Sequence, residues 1–156
     1  MATWRQLADA RPDLAEAARA LLYQHGVGLA FIATVRADGG PRLHPMCPLL
    51  TNDGLFAFIV PGPKRQDLHR DGRYAMHSFP CPDDEDAIWL TGRAEAVDDA
   101  SLRRSLVAQF EAERAQFAVE VASDQELFAF DVERCLHTTT TGHGDPAPQH
   151  TVWHAA

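Results

Sequence analysis

The sequence predicts a mostly-β fold of six to seven mainly antiparallel strands, closed into a whole or split barrel and flanked by helices. Three observations predict it. Short runs rich in apolar, β-branched and aromatic residues recur between clusters of Gly, Pro, Asn and Asp. Sustained helical spacing occurs at the N-terminus and in one segment before the last long run. One strand-like run carries three prolines within eight residues, which cannot all donate into a central ladder.

In chain order, residues 1–26 read as a helical flank. Leu14, Ala17, Ala18, Leu21 and Leu22 recur at helical spacing, Pro12 suits a helix start and Gly26 an end. Gly28 to Val35 is a nearly continuous apolar strand, stopped by the Asp38-Gly39-Gly40 turn signal. Pro41 to Leu50 is a second strand, ended by Thr51-Asn52-Asp53-Gly54, and Leu55 to Val60 a third, giving a three-stranded meander. Pro61-Gly62-Pro63 breaks the chain before a short polar helical segment, Lys64 to Arg70. Arg73 to Phe79 is a fourth strand, 80–86 an acidic loop, and Ala87 to Val97 a fifth strand with Ile88, Leu90, Ala94 and Ala96 alternating against Thr91, Arg93 and Glu95. Asp98 and Asp99 cap a helix running to about Ala118, with Leu102, Leu106, Phe110 and Phe117 on its core stripe and Arg103, Arg104, Glu111, Glu113 and Arg114 facing water. Leu127 to Thr138 is the sixth strand, and the tail 139–156 returns as a short strand at Thr151 to Trp153.

The 156 residues fit a single domain able to bury its own core, and 46% apolar with 23% charged residues is an ordinary globular balance. With no apolar run of membrane length and Asp9, Asp13 and Glu16 near the start, the expectation is a soluble, cytoplasmic protein. A net charge of −8 argues against a broad nucleic-acid surface. Cys47, Cys81 and Cys135 are odd in number and widely spaced, so they read as reduced packing thiols. The tail histidines His137, His143, His150 and His154 fit no metal-binding spacing, and no metal site is expected.

Two segments carry candidate chemistry. Pro41, Pro45 and Pro48 make the second strand an edge or a bulged strand, whose unpaired backbone groups can meet a planar heterocycle; Arg42 and His44 share one face of it. A covered edge with two solvated polar side chains is the plainer alternative. In Pro61 to Leu68, adjacent cations Lys64 and Arg65 open a helical turn directly after a strand. Helix-start N–H groups and a cation can converge there on a phosphate, or the two cations can simply face solvent.

The run from Gly28 to Asp98 resembles the flavin-binding core of the pyridoxamine 5′-phosphate oxidase-like superfamily, which has an FMN-binding split β-barrel. The resemblance rests on A-x-I/L-A-T-V-R-x-D-G-x-P (Ala30 to Pro41), H/S-P-M/V (His44 to Met46), P-K-x-x-D-L (Pro63 to Leu68), R-Y-A-x-H (Arg73 to His77) and L-T-G-R-A-E-x-V-D-D (Leu90 to Asp99). Each motif alone is weak, but together, in order, they span about half the chain.

The resemblance implies a homodimer with a flavin at each subunit interface. Lys64 would bind the FMN phosphate, helped by Arg65 and by Arg42 or His44. The isoalloxazine would lie along His44-Pro45-Met46, Ile59 and Val60 would stand at the strand end that contacts the cofactor, and Trp153 would pack on the ring or seal the interface. The family often has hydroxyl residues where this chain has Ile59 and Val60. The chain also lacks the arginine-leucine-x-proline terminus tied to pyridoxamine phosphate oxidation, having Thr151-Val152-Trp153-His154 near its end instead, so the resemblance does not itself imply vitamin-B6 chemistry. The implied function is an FMN-dependent oxidoreductase acting on a small molecule, with no catalytic side chain singled out. The alternatives are a deazaflavin-dependent reductase of the same fold and a non-enzymatic flavin-binding module.

Overall fold

A computed structural model describes residues 1–156. Two helices, α1 (Trp4–Ala10) and α2 (Pro12–Leu22), precede β1 (Ala30–Val35), β2 (Pro41–Met46), β3 (Leu49–Leu50) and β4 (Leu55–Ile59). Then come α3 (Pro63–Arg70), β5 (Arg73–Ser78), β6 (Ala87–Ala96), α4 (Ala100–Glu113), β7 (Glu126–Thr139) and β8 (Gln149–His154). The single helical flank expected at the N-terminus is thus two helices. Pro12 bars Arg11 from helical backbone, and Arg11 sits at φ −144°, ψ 74°. Thr3 caps α1 through a capping box with Gln6.

All eight strands join one antiparallel sheet in the order β2-β1-β5-β6-β7-β4-β3, with β8 on β7. The expected second strand is therefore divided. Its first half pairs β1, its second half pairs β4, and these halves form opposite edges of the sheet, joined through Cys47 and Pro48. Pro48 cannot continue a ladder, so the strand changes partner there, and that change closes the sheet into a split barrel. The expected meander survives in order but is shared between two edges.

The barrel interior is filled by Ile32, Met76, Ile88, Leu90, Phe128, Phe130 and Cys135, with Leu14, Ala18 and Leu22 of α2 packed onto it. Along β6 the even residues face inward from Ile88 to Ala94, while Ala96 is exposed at the strand end. A register shift at Thr91/Gly92 lets Phe130, Val132 and then Cys135 all point inward on β7. Gly92 is required there, because a Cβ would collide with the Asp131 carbonyl.

On the outside, α4 covers β3, β4 and β7 through Leu49, Phe56, Leu106, Phe110 and Leu127. Asp99 caps α4 by accepting from the N–H groups of Ser101 and Leu102. Two expectations for this helix are corrected. Phe117 is exposed, because the helix ends at Glu113 and a 3₁₀ turn with left-handed Ala118 swings it out. Arg114 is buried instead of solvated, since the Gly28 carbonyl and the Phe110 ring give its guanidinium partners. No helix is long and apolar enough to cross a membrane.

Candidate functional site

The hairpin between β1 and β2 sets which backbone groups β2 leaves free. Gly39 N–H donates to the Arg36 carbonyl and Arg36 N–H to the Gly40 carbonyl, a type I turn with a glycine bulge. From that pairing, Arg42, His44 and Met46 turn their backbone groups toward Thr34, Ile32 and Ala30, and Pro41, Leu43 and Pro45 turn theirs outward. The two prolines thus stand where their missing N–H groups cost no ladder bond. The open edge offers the Leu43 N–H and a row of carbonyls.

The side chains of Arg42, His44 and Met46 share the opposite, inward face. Met46 is buried in the barrel core, and His44 and Arg42 are half-buried at its mouth. Helix α3 brings Asp67 beneath them. Asp67 is 3% exposed and accepts from Arg42 Nε at 2.7 Å, Thr34 Oγ1 at 3.0 Å and Arg70 Nη2 at 3.1 Å. Arg70 also reaches the Val35 carbonyl. Burial pulls the Asp67 carboxyl upward, but these three donors outweigh it and hold it below the ordinary carboxylate range.

Lys64 Nζ donates to the Pro45 carbonyl at 3.3 Å, which places the ammonium against the free edge of β2. Desolvation lowers its pKa. The imidazole of His44 is held below its ordinary value by desolvation first, then by the charges of Lys64 and Arg42, so it is neutral near pH 7. His44 Nε2 is buried with no hydrogen-bond partner. At the start of α3, Gly62 supplies no side-chain cap, Pro63 occupies the first turn and no acidic residue is present there. Two cations, Arg42 and Arg70, therefore share one carboxylate, while a third, Lys64, stands at the uncapped helix start against the β2 edge, and the charges of Lys64 and Arg42 both act on His44, whose imidazole nitrogen is unpartnered. That arrangement can receive an anion that also accepts or donates a hydrogen bond at His44.

Other expected site residues are placed differently. Arg65 points away from Lys64: its Nη1 donates to the Asp124 carbonyl at 2.7 Å and its Nε lies 3.7 Å from Glu126. It lines a separate polar cavity of about 740 Å³ with His69, Asp98, Arg103 and Glu126. Ile59 is buried in the barrel core, and Val60, 51% exposed, stands at the surface just before α3. Pro45 is exposed on the edge. Trp153 lies on β8 opposite Cys135, packed partly against the core, and is not in the Arg42–Lys64 cluster of its own chain.

The sequence alone assigns no role to Thr34, Asp67 or Arg70. The spacing of Asp67 and Arg70, three apart on one helix, was the signal that could have raised them.

The residues present fit the phosphate of a flavin nucleotide: Lys64 at the uncapped α3 start, the unpaired terminal nitrogens of Arg42 and the unpartnered His44 nitrogen suit an anionic, hydrogen-bonding group. Positions 59 and 60 offer it no hydroxyl.

Comparison with known proteins gives the lineage. The family model described as pyridoxamine 5′-phosphate oxidase matches residues 14–139. No curated protein matches. Among solved structures, the chain is similar to a heme binding protein from Mycobacterium smegmatis, with 19% identity and a TM-score of 0.65. That match covers 90% of this chain, which spans only 58% of the length of that protein. HutZ, the heme storage protein from Vibrio cholerae, is similar at 17% identity and a TM-score of 0.61, over 78% of this chain and 89% of that one. A protein related to general stress protein 26, of the pyridoxinephosphate oxidase family, from Clostridium acetobutylicum is similar at 12% identity and a TM-score of 0.60, over 96% and 95% of the two chains. At these identities the likenesses establish the fold alone, and the fold and the family match agree: the chain belongs to the pyridoxamine 5′-phosphate oxidase family.

Proposed function

We propose that the chain binds FMN along the open edge of β2, between the two copies of a homodimer, and acts as a flavin-dependent oxidoreductase on a small molecule. The observation that carries this reading is the pair of cations whose charges both act on His44: Lys64, against the β2 edge at the uncapped start of α3, and Arg42, whose terminal nitrogens have no partner in the chain. A bound flavin would supply the hydride and electron transfer. The chain's own residues bind and orient: Lys64 and the first turn of α3 hold the phosphate, the Arg42 guanidinium adds a second cation, and the Leu43 N–H with the neighbouring carbonyls meets the polar edge of the ring. His44 Nε2 is the one buried polar atom left for a further hydrogen bond in this cluster.

The homodimer is supported by the outer face of the sheet. Pro45, Phe31, His77, Trp89, Leu136 and Val152 stand opposite one another in register across six strands, forming one row largely apolar in character. A second copy of the chain is the partner such a row fits.

A second reading is heme binding. It is favoured by His44 Nε2, since a neutral buried imidazole nitrogen without a partner is the kind of ligand an iron centre takes. One titration separates the two readings. The purified protein is exposed to FMN, riboflavin and hemin while absorbance and flavin fluorescence are followed. Saturable quenching of FMN, tighter than riboflavin, supports the flavin site, whereas a saturable Soret shift without flavin binding overturns it in favour of heme. Reduction of bound FMN by a nicotinamide supports the enzyme. Turnover only with added deazaflavin, or a bound flavin that no donor reduces, replaces it with the deazaflavin reductase or the binding module.

A further inference from the structure

Arg42 is the half-exposed cation of the cluster, and it spends only one of its three nitrogens inside the protein. Its Nε is held by Asp67 at 2.7 Å, while its two terminal nitrogens make no hydrogen bond to the chain. A free arginine on an edge strand would sample many rotamers, and ordering it on ligand binding would cost conformational entropy. Here the carboxylate that holds it has further partners of its own: Asp67 is buried, accepts from the Thr34 hydroxyl of β1, and its second oxygen is occupied by Arg70.

From this geometry we infer that Asp67 is a positioning residue of the anion site, splinting Arg42 through Nε so that its terminal nitrogens are presented, already ordered, to a phosphate group. The inference takes the phosphate from the FMN reading above, but the splint itself concerns any phosphate-bearing ligand. Asp67 touches no ligand. It acts through Arg42, and the Arg70 charge keeps the pair cationic, so the carboxylate orients Arg42 without neutralising the site.

Asp67→Asn keeps the size of the side chain and one acceptor, but removes the charge that holds Arg42. The test titrates wild type, D67N, R42A and the D67N/R42A double variant with FMN, riboflavin and inorganic phosphate. FMN affinity should fall about tenfold in D67N while riboflavin affinity stays unchanged, and in the R42A background D67N should have little further effect. Equal losses for FMN and riboflavin, or an undiminished D67N effect without Arg42, would overturn the splint in favour of a merely structural carboxylate.

Should wild type bind phosphate but no flavin, the flavin reading fails, and the same cycle in phosphate affinity still decides the role of Asp67. Binding of neither FMN nor phosphate overturns both. A measurement on wild type alone guards against a variant that does not fold. In ¹⁵N spectra the Arg42 Nε–H should exchange slowly with solvent, and phosphate should shift the terminal nitrogens of Arg42 but not Nε. A fast-exchanging Nε–H also overturns the inference.

Discussion

Asp67 Oδ2 lies 2.7 Å from Arg42 Nε, and this one contact ties helix α3 to the edge strand β2 across a separation of 25 residues. The same carboxylate accepts from Thr34 on β1, so three elements converge on a buried anion. Its stabilisation has a pH signature. The native Asp67 carboxyl is held below the ordinary value of 3.8, so the unfolded state binds the proton more readily. The contribution is fully present above about pH 4 and is lost as pH falls through the ordinary value toward the native one. Urea unfolding of wild type and D67N should therefore differ most near neutral pH and converge on acidification below about pH 4. A gap that stays constant down to pH 2 would show that charge at Asp67 does not stabilise the fold.

Lys64 sits against the Pro45 carbonyl, beside the unpaired edge of β2, with its charge partly desolvated. Lys64→Ala should weaken FMN by about 1.5–3 kcal/mol through loss of a charge-assisted phosphate contact, and leave riboflavin binding untouched. Fluorescence titration of both flavins checks this. An FMN affinity equal to wild type would move the phosphate away from α3.

The split between Lys64 and Arg65 shows where sequence reading stops. Both cations were expected at one phosphate, but adjacent residues on a helix point about 100° apart, so one faces β2 and the other Asp124 and Glu126. The edge character of β2 was legible because prolines forbid a central ladder whatever the tertiary context. Its division at Cys47 and Pro48 was not, since the choice of partner for Leu49–Leu50 is made by β4. Nor could Asp67 be recognised as buried: in the polar run Pro63 to Leu68 it looks like a solvated residue, and the donors that make its burial tolerable arrive from β1 and β2. The solvated reading of Arg114 failed for the same reason, because its main acceptor, the Gly28 carbonyl, is 86 residues away.

Tyr23 joins α2 to the β3 edge. Its hydroxyl accepts from the Leu50 N–H at 3.0 Å and donates to Glu113 Oε2 at 3.3 Å. Burial first, with the Glu113 charge adding to it against the Leu50 hydrogen bond, pushes the phenol up to about 12. A raised native pKa means that its contribution is intact below the ordinary value of 10.0 and is lost as pH rises toward 12. Tyr23→Phe should cost about 1–2 kcal/mol at neutral pH by leaving the Leu50 N–H unpaired. Its unfolding free energy should also decline less than wild type between pH 10 and 12. Parallel alkaline curves would rule out the phenol as a titrating contributor.

Arg114 is a buried cation with three kinds of partner. Its guanidinium carbon lies 3.9 Å from the Phe110 ring centroid, Nη2 donates to the Gly28 carbonyl at 3.0 Å, and Nη1 lies 3.4 Å from Glu113. Arg114→Ala should destabilise by about 3 kcal/mol, because it leaves the Gly28 carbonyl without its donor, removes the positive charge beside Glu113 and opens a void over Phe110. Arg114→Lys should recover little, since an ammonium cannot stack flat on the ring while reaching both acceptors. Chemical denaturation of the two variants measures this directly. A lysine variant as stable as wild type would reduce the role of Arg114 to that of a point charge.

Gly28 stands in close approach to the link that joins the two edges of the sheet. It precedes β1, its carbonyl accepts from Arg114, and a Cβ on it would collide with the Pro48 carbonyl and come within 3.3 Å of the Tyr23 ring. Pro48 is the residue at which the divided strand changes partner, so pushing it outward acts on the junction between β2 and β3. Backbone, not a flexible side-chain end, is what the new methyl meets, and relief requires moving either β1 or the Cys47–Pro48 link. Gly28→Ala should therefore cost about 1–3 kcal/mol, in the range of overpacking in a dense core. Gly40→Ala is the control: its Cβ would approach only the Asp38 side chain, at 3.1 Å on an exposed turn, and the change should stay within about 0.5 kcal/mol. Thermal melts compare the two, and hydrogen exchange locates the effect. In Gly28→Ala the Leu50 N–H, held by the Tyr23 hydroxyl, should lose protection before the central β5–β6 amides do. Equal melting temperatures for the two alanine variants would show that the β2–β3 junction gives way without cost, and that the barrel does not depend on the close approach of Gly28 to Pro48.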